Sequence, residues 1–346
     1  MTKILVTGGT GYIGSHTVVE LQNSGYEVII VDNLSNSDIQ VLDRIAKITG
    51  IRPVFENIDC TDYVAMDNLF KKYSADKNKA IKAIIHFAAS KAVGESVAKP
   101  LLYYRNNLGS LMNLLQLMLT YNVKNIVFSS SCTVYGQPDR LPVTESAPIK
   151  QPLSPYGNTK KIGEEIIRDA IYANPDFKGI ILRYFNPIGA HPSSEIGELP
   201  NGIPNNLLPF VTQTAIGLRK QLQVFGDDYN TPDGSCIRDY IHVVDLAKAH
   251  VLAVNRIVES KSKSPVETFN LGTGRGLSVL EIIKTFEKVT GAHVPYKIVA
   301  RREGDIEQVW ADPTYANNVL GWKAVETVED TLSSAWSWEL KLNQKR

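Results

Sequence analysis

The stretch Lys3-Ile4-Leu5-Val6-Thr7-Gly8-Gly9-Thr10-Gly11-Tyr12-Ile13-Gly14 decides the fold. A short aliphatic run reads as a strand buried on both faces. Glycines at 9, 11 and 14 follow it directly, and Ile13 to Gln22 then carries helical spacing. Glycine lets a backbone turn tightly and approach a pyrophosphate, while the free amides and dipole of a helix start favour negative charge. A second aliphatic run, Val28-Ile29-Ile30-Val31, ends at Asp32, 18 residues beyond Gly14. A carboxylate there can accept hydrogen bonds from the adenosine ribose hydroxyls and would repel a 2′-phosphate. The spacing therefore predicts binding of NAD rather than NADP. A glycine-rich structural turn before an ordinary helix would explain neither the preceding strand nor the acid.

Outward from this stretch, short aliphatic runs alternate with helical patterns. Strands are predicted at 4–7, 28–31, 54–55, 83–87, 125–128 and 180–183, and helices at 13–22, 39–48, 63–72, 104–119 and 156–173. That alternation is the signature of βαβ units. It predicts an α/β fold, a Rossmann-type doubly wound parallel sheet with a smaller mixed α/β substrate-binding lobe. Beyond Asn186 the rhythm breaks, because Pro187, Pro192, Pro200, Pro204 and Pro209 crowd a segment that also holds Gly189, Gly197 and Gly202. Such a segment should leave the sheet as loops and short elements. Residues 1–185 are expected to hold the cofactor and 186–346 mainly the substrate. Residues 241–257 read as helical, and 238–258 are expected to pack back on the first unit. The Lys/Ser run at 260–264 reads as a solvated loop.

At 346 residues, with 43% apolar and 21% charged residues and a net charge of +1, the chain has the composition of an ordinary soluble protein. No nucleic-acid binding is expected, and any basic groups at a phosphate site must be local. The amino-terminal apolar run is too short for a signal sequence or a membrane span, so a cytoplasmic location is expected. Cys60, Cys132 and Cys236 make neither a CxxC pair nor a metal set, and they read as reduced thiols. His86, His191, His242 and His250 show no ligand spacing, so no metal is expected.

A second constellation carries the chemistry. Ser129-Ser130-Ser131 closes a predicted strand, and Tyr156-Gly-Asn-Thr-Lys160 opens a predicted helix. Four residues make about one helical turn, so Tyr156 and Lys160 share a face and the ammonium can lie beside the phenol. A nearby cation favours the phenolate and should lower the tyrosine pKa from its usual ~10 toward the working range. Tyr156, Lys160 and Ser131 are therefore the candidate catalytic residues. Arg238 and Arg302 are candidate cations for a diphosphate, against the alternative of surface ion pairs.

Gly8-Gly9-Thr10-Gly11-Tyr12-Ile13-Gly14, Ser129-Ser130-Ser131-Cys132-Thr133-Val134-Tyr135-Gly136 and Tyr156-Gly-Asn-Thr-Lys160 resemble the extended short-chain dehydrogenase/reductase superfamily. Within it, Arg183-Tyr-Phe-Asn186-Pro187, Gly202-Ile-Pro-Asn205-Asn206-Leu207-Leu-Pro, Arg238-Asp-Tyr-Ile-His242-Val, Asn270-Leu-Gly-Thr-Gly274 and Arg301-Arg302-Glu-Gly-Asp305 are similar to the UDP-galactose (UDP-glucose) 4-epimerase family. The similarity runs from residue 3 to about Trp322. It implies NAD contacts from Gly8, Gly11, Tyr12, Ile13, Gly14, Asp32, Asn33, Asp59, Cys60, Phe87, Ala88, Ala89, Lys91, Asn106, Tyr156, Lys160 and Tyr184. For a UDP-hexose it implies Ser131, Tyr156, Asn186, Asn206, Leu207, Phe225, Arg238, Arg302, Asp305 and Val309. Cys132 stands where the family usually has alanine, and Cys60 where it commonly has an aliphatic residue.

The family's reaction is a transient oxidation at sugar carbon 4. Tyr156 would take the hydroxyl proton, Ser131 would relay it, and a 4-keto sugar would turn over and be reduced on its other face. The resemblance also implies a homodimer and a place in nucleotide-sugar and galactose metabolism. Val309, four residues after Asp305, occupies a position where a small residue goes with acceptance of N-acetylated sugars. The nearest rival, a nucleotide-sugar 4,6-dehydratase, typically has Asp-Glu just after the strand-end Ser/Thr, where this chain has Cys132, Thr133 and Val134. UDP-glucuronate and UDP-xylose epimerases share the motifs. A non-catalytic NAD-binding scaffold is the rival from another class.

Overall fold

The computed structural model describes residues 2–75, 80–302 and 305–344. The first half runs β1 (Lys3–Thr7), α1 (Tyr12–Asn23), β2 (Glu27–Asp32), α2 (Val41–Thr49), β3 (Val54–Asn57), α3 (Tyr63–Ser74), β4 (Ile81–His86), α4 (Val93–Ala98), α5 (Pro100–Tyr103), α6 (Gly109–Tyr121), β5 (Asn125–Ser131), α7 (Pro155–Ala173) and β6 (Lys178–Tyr184). There follow β7 (Asn186–Ile188), α8 (Leu207–Ala215), β8 (Leu222–Phe225), β9 (Ile237–His242), α9 (Val243–Val258), β10 (Val266–Leu271), β11 (Gly276–Ser278), α10 (Val279–Thr290), β12 (Tyr296–Val299), β13 (Gln308–Val309) and α11 (Val328–Asn343).

Seven parallel strands form the main sheet in the order β10-β6-β5-β4-β1-β2-β3. All five residues of β1 are buried, as a strand covered on both faces requires. One apolar cluster joins the sheet to α1, α2 and α9, and a second joins its other face to α3, α6 and α7. The chain leaves β3 and crosses to β4 on the far side of β1. The crevice above β1 and β4 is therefore the topological switch point, where ligands of such sheets bind. A third cluster packs α8, α10 and α11 in the smaller lobe, whose short strands pair as β11-β9-β13, β7-β9 and β12-β8.

The structure departs from the sequence expectation in three places. The seventh strand, β10, was not expected: the return of the chain to the first unit was read as helical, over 238–258, with no strand after it. The predicted helix at 104–119 begins instead with a π-helical turn over Tyr104–Leu108, and α6 starts only at Gly109. Ile241 and His242, read as helical, end strand β9. His242 then caps α9 by accepting the Val244 amide at 3.0 Å. α9 packs against α1 and against β4, β5 and β6. Its buried Asp245 accepts the amides of Val325 and Glu326, each at 2.9 Å, which pins the segment leading into α11.

Candidate functional site

All the site residues named from the sequence line a single cleft of about 2030 Å³ between the C-terminal ends of β1, β4 and β5 and the smaller lobe. That is roughly twice the upper range of an ordinary small-molecule pocket, and it leaves room for two nucleotide-sized ligands.

At one end the main chain sets the geometry. Gly8 has φ of +72°, and a Cβ there would lie 2.8 Å from the Ala88 amide nitrogen. A Cβ on Gly14 would meet the Gly8 carbonyl oxygen at 2.2 Å, so both positions require glycine. The Gly8 amide donates to Val31 O at 2.8 Å and the Gly11 amide to Gly8 O at 3.1 Å, closing the turn ahead of α1. Asp32 accepts from the Thr10 and Leu34 amides at 3.2 and 2.9 Å and from Ser37 Oγ at 3.2 Å. Three bonds leave capacity on a carboxylate that offers about four lone-pair sites. Next to it, Asn33 Nδ2 donates to Asp59 at 2.9 Å, and Cys60 is buried with its thiol pushed up to about 12 by burial and the nearby carboxylates. This cradle suits a dinucleotide whose ribose and diphosphate meet a carboxylate and open amides.

The far wall follows β4. Phe87 lies just past the strand, yet its amide still donates to Thr7 O at 3.0 Å, and Ala88, Ala89 and Lys91 continue along the cleft. Asn106 Nδ2 donates to Ser90 Oγ at 3.1 Å, and buried Asn107 ties Ser90 to Thr159 of α7. The π turn brings Asn106 and Asn107 to one network, a use typical of such turns. Tyr12 closes this end by donating to Gly189 O at 2.6 Å.

Helix α7 starts where Ser154 Oγ accepts the Gly157 amide at 3.1 Å and Pro155 occupies the first turn, a cap that stabilises by about 1 kcal/mol. Tyr156 and Lys160 project from this first stretch toward β5. The Ser131 side chain lies beside the Tyr156 phenol and favours its ionised form, against the effect of burial. Buried Lys160 donates to Ser129 O at 2.7 Å and lies 5.9 Å from the centre of the Tyr156 ring. Tyr184 OH meets Ser129 Oγ at 2.5 Å.

The electrostatics correct one expectation. Burial, followed by the neighbouring Tyr184, raises the Tyr156 phenol well above its ordinary value instead of lowering it. Burial brings Lys160 down to about 8, opposed by Glu164. The ammonium is engaged by a carbonyl of β5, and desolvation of the buried phenol outweighs any attraction of that cation for the phenolate.

At the opposite end side chains dominate. Asp305 accepts from Arg302 Nη2 at 2.6 Å and lies 3.9 Å from Arg238 Nη2, while Arg302 sits 5.5 Å over the ring of Phe225. Two cations share one carboxylate, which leaves a positive charge at the cleft. Both arginines thus make ion pairs and also line the cleft. Of the motif between Arg301 and Asp305, Glu303 and Gly304 lie outside the described residues. Val309 on β13 is paired with Arg238 on β9 and is buried among Val134, Tyr135, Phe185 and Ala311. Asn186 lies on β7, and Asn206 and Leu207 stand at the start of α8.

The sequence reading missed Glu198, which accepts from Asn206 Nδ2 at 2.6 Å and pairs with Lys91 at 3.5 Å across the cleft. It also missed Asn107 and Glu164. None carries a local motif; a buried polar residue on the helical face of a known site residue is the one available signal. Among the described residues, no three His, Cys, Asp or Glu side chains converge as a metal site, all three cysteines are free, and no helix is long and apolar enough to cross a membrane.

Comparison with known proteins agrees with this geometry. Residues 5–335 match the family model described as GDP-mannose 4,6 dehydratase. The UDP-glucose 4-epimerase of Bacillus subtilis is 52% identical over 336 residues, covering 97% of this chain and 96% of that protein. The Homo sapiens enzyme is 49% identical over 343 residues, covering 97% and 96%. Among solved structures, UDP-glucose 4-epimerase from Bifidobacterium longum in complex with NAD+ and UDP is similar at a TM-score of 0.93, with 49% identity and full coverage of both chains. That from Stenotrophomonas maltophila, with bound NAD and formylated UDP-arabinopyranose, gives 0.95 and 47%, again with full coverage. The chain belongs to the UDP-glucose 4-epimerase family of the extended short-chain dehydrogenase/reductase superfamily.

Proposed function

We propose that this chain interconverts UDP-galactose and UDP-glucose by reversible oxidation at carbon 4 of the hexose, with NAD as its resident cofactor. The observation that carries the reading is the position of Tyr156, Ser131 and Lys160 between a glycine-built dinucleotide cradle and an arginine-bearing lobe. Gly8, Gly11, Tyr12, Ile13, Gly14, Asp32, Asn33, Asp59, Cys60, the 87–91 segment, Asn106 and Tyr184 hold the cofactor. Bound NAD supplies the hydride acceptor and, when oxidised, a positive charge.

Tyr156 takes the proton of the 4-hydroxyl as the C4 hydride leaves, and Ser131 hydrogen-bonds the reacting oxygen and relays that proton. Lys160 holds the strand end through Ser129 O and contributes the cation nearest the phenol. Arg238 and Arg302 grip the diphosphate, while Asn186, Asn206, Leu207, Phe225 and Asp305 shape the rest of the site. Held by its UDP, the 4-keto sugar turns about the diphosphate linkage and receives hydride on its other face, with Tyr156 returning the proton. Incubation with UDP-galactose tests this directly: UDP-glucose is the expected product, whereas a dehydrated 4-keto sugar or no change overturns the assignment. The dehydratase reading is not favoured, since the positions after Ser131 carry no acid.

Val309 supports a wider substrate range. A valine on this wall leaves space that a tyrosine would fill, and overpacking is costly. The protein is therefore proposed to interconvert UDP-N-acetylgalactosamine and UDP-N-acetylglucosamine too, with Val309→Tyr losing that activity and keeping the unsubstituted one. Absence of N-acetyl turnover in the parent would show that other wall residues close the pocket. Residues 1–185 serve mainly the cofactor and 186–346 mainly the substrate, with 238–258 against the first unit. Exposed Leu101, Leu102 and Met112 on α5 and α6 support a homodimer, to be checked by sedimentation. The cytoplasm is the proposed compartment.

A further inference from the structure

Three consecutive serines end β5, and α7 addresses each of them. Ser131 lies beside Tyr156, and the Ser129 carbonyl takes the Lys160 ammonium at 2.7 Å. The third contact comes from Glu164, one further turn along the helix and 2% exposed: its Oε1 accepts Ser130 Oγ at 2.6 Å. Tyr156, Lys160 and Glu164 are thus spaced four residues apart down one helix face, and their three partners are adjacent on one strand. The catalytic reading above uses the first two contacts and leaves a buried carboxylate unexplained.

Glu164 does not hold Ser130 alone. Arg183 of β6 donates to it twice, from Nε at 2.8 Å and from Nη2 at 2.5 Å, and its Nη1 donates to Tyr135 OH at 2.9 Å. Tyr135 OH in turn donates to Asn270 of β10 at 2.7 Å. A carboxylate fixed by a bidentate arginine is a stiff acceptor, far less free to move than a solvated one. A serine hydroxyl bonded to it inherits that rigidity.

We propose that Glu164 is a positioning residue for the proton transfer: through Ser130 it fixes the end of β5 against α7, and so sets the placement of Ser131 against Tyr156. The proposal rests on the catalytic reading of Tyr156 and Ser131. Proton transfer is sensitive to sub-ångström placement, so a strand end free to shift lowers the chemical step without weakening substrate binding. Glu164 also lies one turn from Lys160 and opposes the loss of its proton. The charged and titratable groups facing this pair are Arg168 and Tyr156 on α7 itself, Arg183 on β6, His86 on β4 and Tyr135 after β5.

The test uses the full NAD-loaded chain with UDP-galactose. Ser130→Ala removes the link and leaves the Glu164–Arg183 pair intact, so folding should survive. The expected result is a kcat about 10-fold lower per NAD-loaded protein, with KM within about twofold. Glu164→Gln, which leaves Arg183 short of its counter-charge, should in addition move the alkaline limb of the kcat profile to lower pH, because Lys160 loses the carboxylate that favours its charged form. If Glu164→Gln does not fold, Ser130→Ala alone decides. A Ser130→Ala protein with unchanged kcat, or one whose loss tracks only its NAD content, overturns the proposal. Tyr156→Phe is run beside it: if that variant stays active, the catalytic reading itself falls, whereas an inactive Tyr156→Phe with a normal Ser130→Ala removes only the role of Glu164.

Discussion

At the proposed cofactor end of the cleft, main-chain geometry shapes the cradle: Gly8 and Gly14 admit no side chain, and Asp32 is fixed by two backbone amides. At the proposed substrate end the groups are long side chains on loops and short strands, with the Arg302 side chain 60% exposed and two arginines sharing Asp305. The first end is preorganised before any ligand arrives. The second must order flexible groups at the moment of binding, which costs entropy but lets the occupant come and go. A cofactor that stays and a substrate that exchanges each turnover would divide between the two ends in this way.

Substitutions can break that division. Tyr156→Phe, at the seam between the ends, should have the largest effect: on the order of 10²-fold or more off turnover, with NAD content unchanged. Near-normal turnover would show that the proton leaves by another route. Lys160→Met should cost somewhat less, weaken NAD retention, and move the activity profile to higher pH, since a phenol already raised by burial loses its nearest cation. A profile that keeps its position would remove Lys160 from that role.

Arg238→Ala should raise KM for UDP-galactose on the order of 10- to 100-fold, the scale of a charged hydrogen bond, while NAD retention stays put. Loss of NAD in this variant would mean that the two ends are not separable.

Acidification probes the shared scaffold. Burial lowers His16 and His86 to about 3 and His242 and His250 to about 4. Each is therefore neutral when folded, and below its unfolded pKa of ~6.5 the unfolded chain binds the extra protons. Stability from these groups is complete above pH 6.5 and lost as pH falls below it, at up to about 1.4 kcal/mol per histidine per pH unit. Urea midpoints should drop between pH 6.5 and 5.5, above the ordinary carboxylate range, and a flat profile would contradict the burial of these rings. Asp32→Ala should have the smallest effect, a shift of about 10-fold or less in the ratio of NAD to NADP bound by apo-protein. An unchanged ratio would displace the ribose contact from Asp32.

The same contrast explains what could be read in advance. The β1–α1–β2 unit was legible because glycine spacing and aliphatic runs are local, and the start of α7 because Tyr156 and Lys160 need only one helical turn. Strand β10 was not. Its Glu267 looks solvent-facing in the sequence but is 4% exposed and paired with Arg256 at 2.6 Å, so the polar pattern hid a buried strand. The π turn at 104–108, the Glu198 bridge and the Glu164–Arg183 pair depend on partners far along the chain, which no short window contains. At the substrate end the residues were reached through family motifs, because isolated arginines and asparagines carry no spacing rule of their own. Their convergence on one cleft is visible only in the fold.

Strand β10 also bears on how the protein is made. It pairs with β6 along its whole length, yet 81 residues separate Tyr184 from Val266. On a ribosome adding ~5–20 residues per second, the completed β6 waits roughly 4–16 s for its neighbour. Through that interval the nascent sheet presents an open row of amides and carbonyls, the feature that invites pairing with other chains. The Tyr135–Asn270 bond closes in the same late step. Yield in a cell should therefore depend on how quickly that segment emerges and on what shields the edge until it does, a vulnerability invisible in the finished fold.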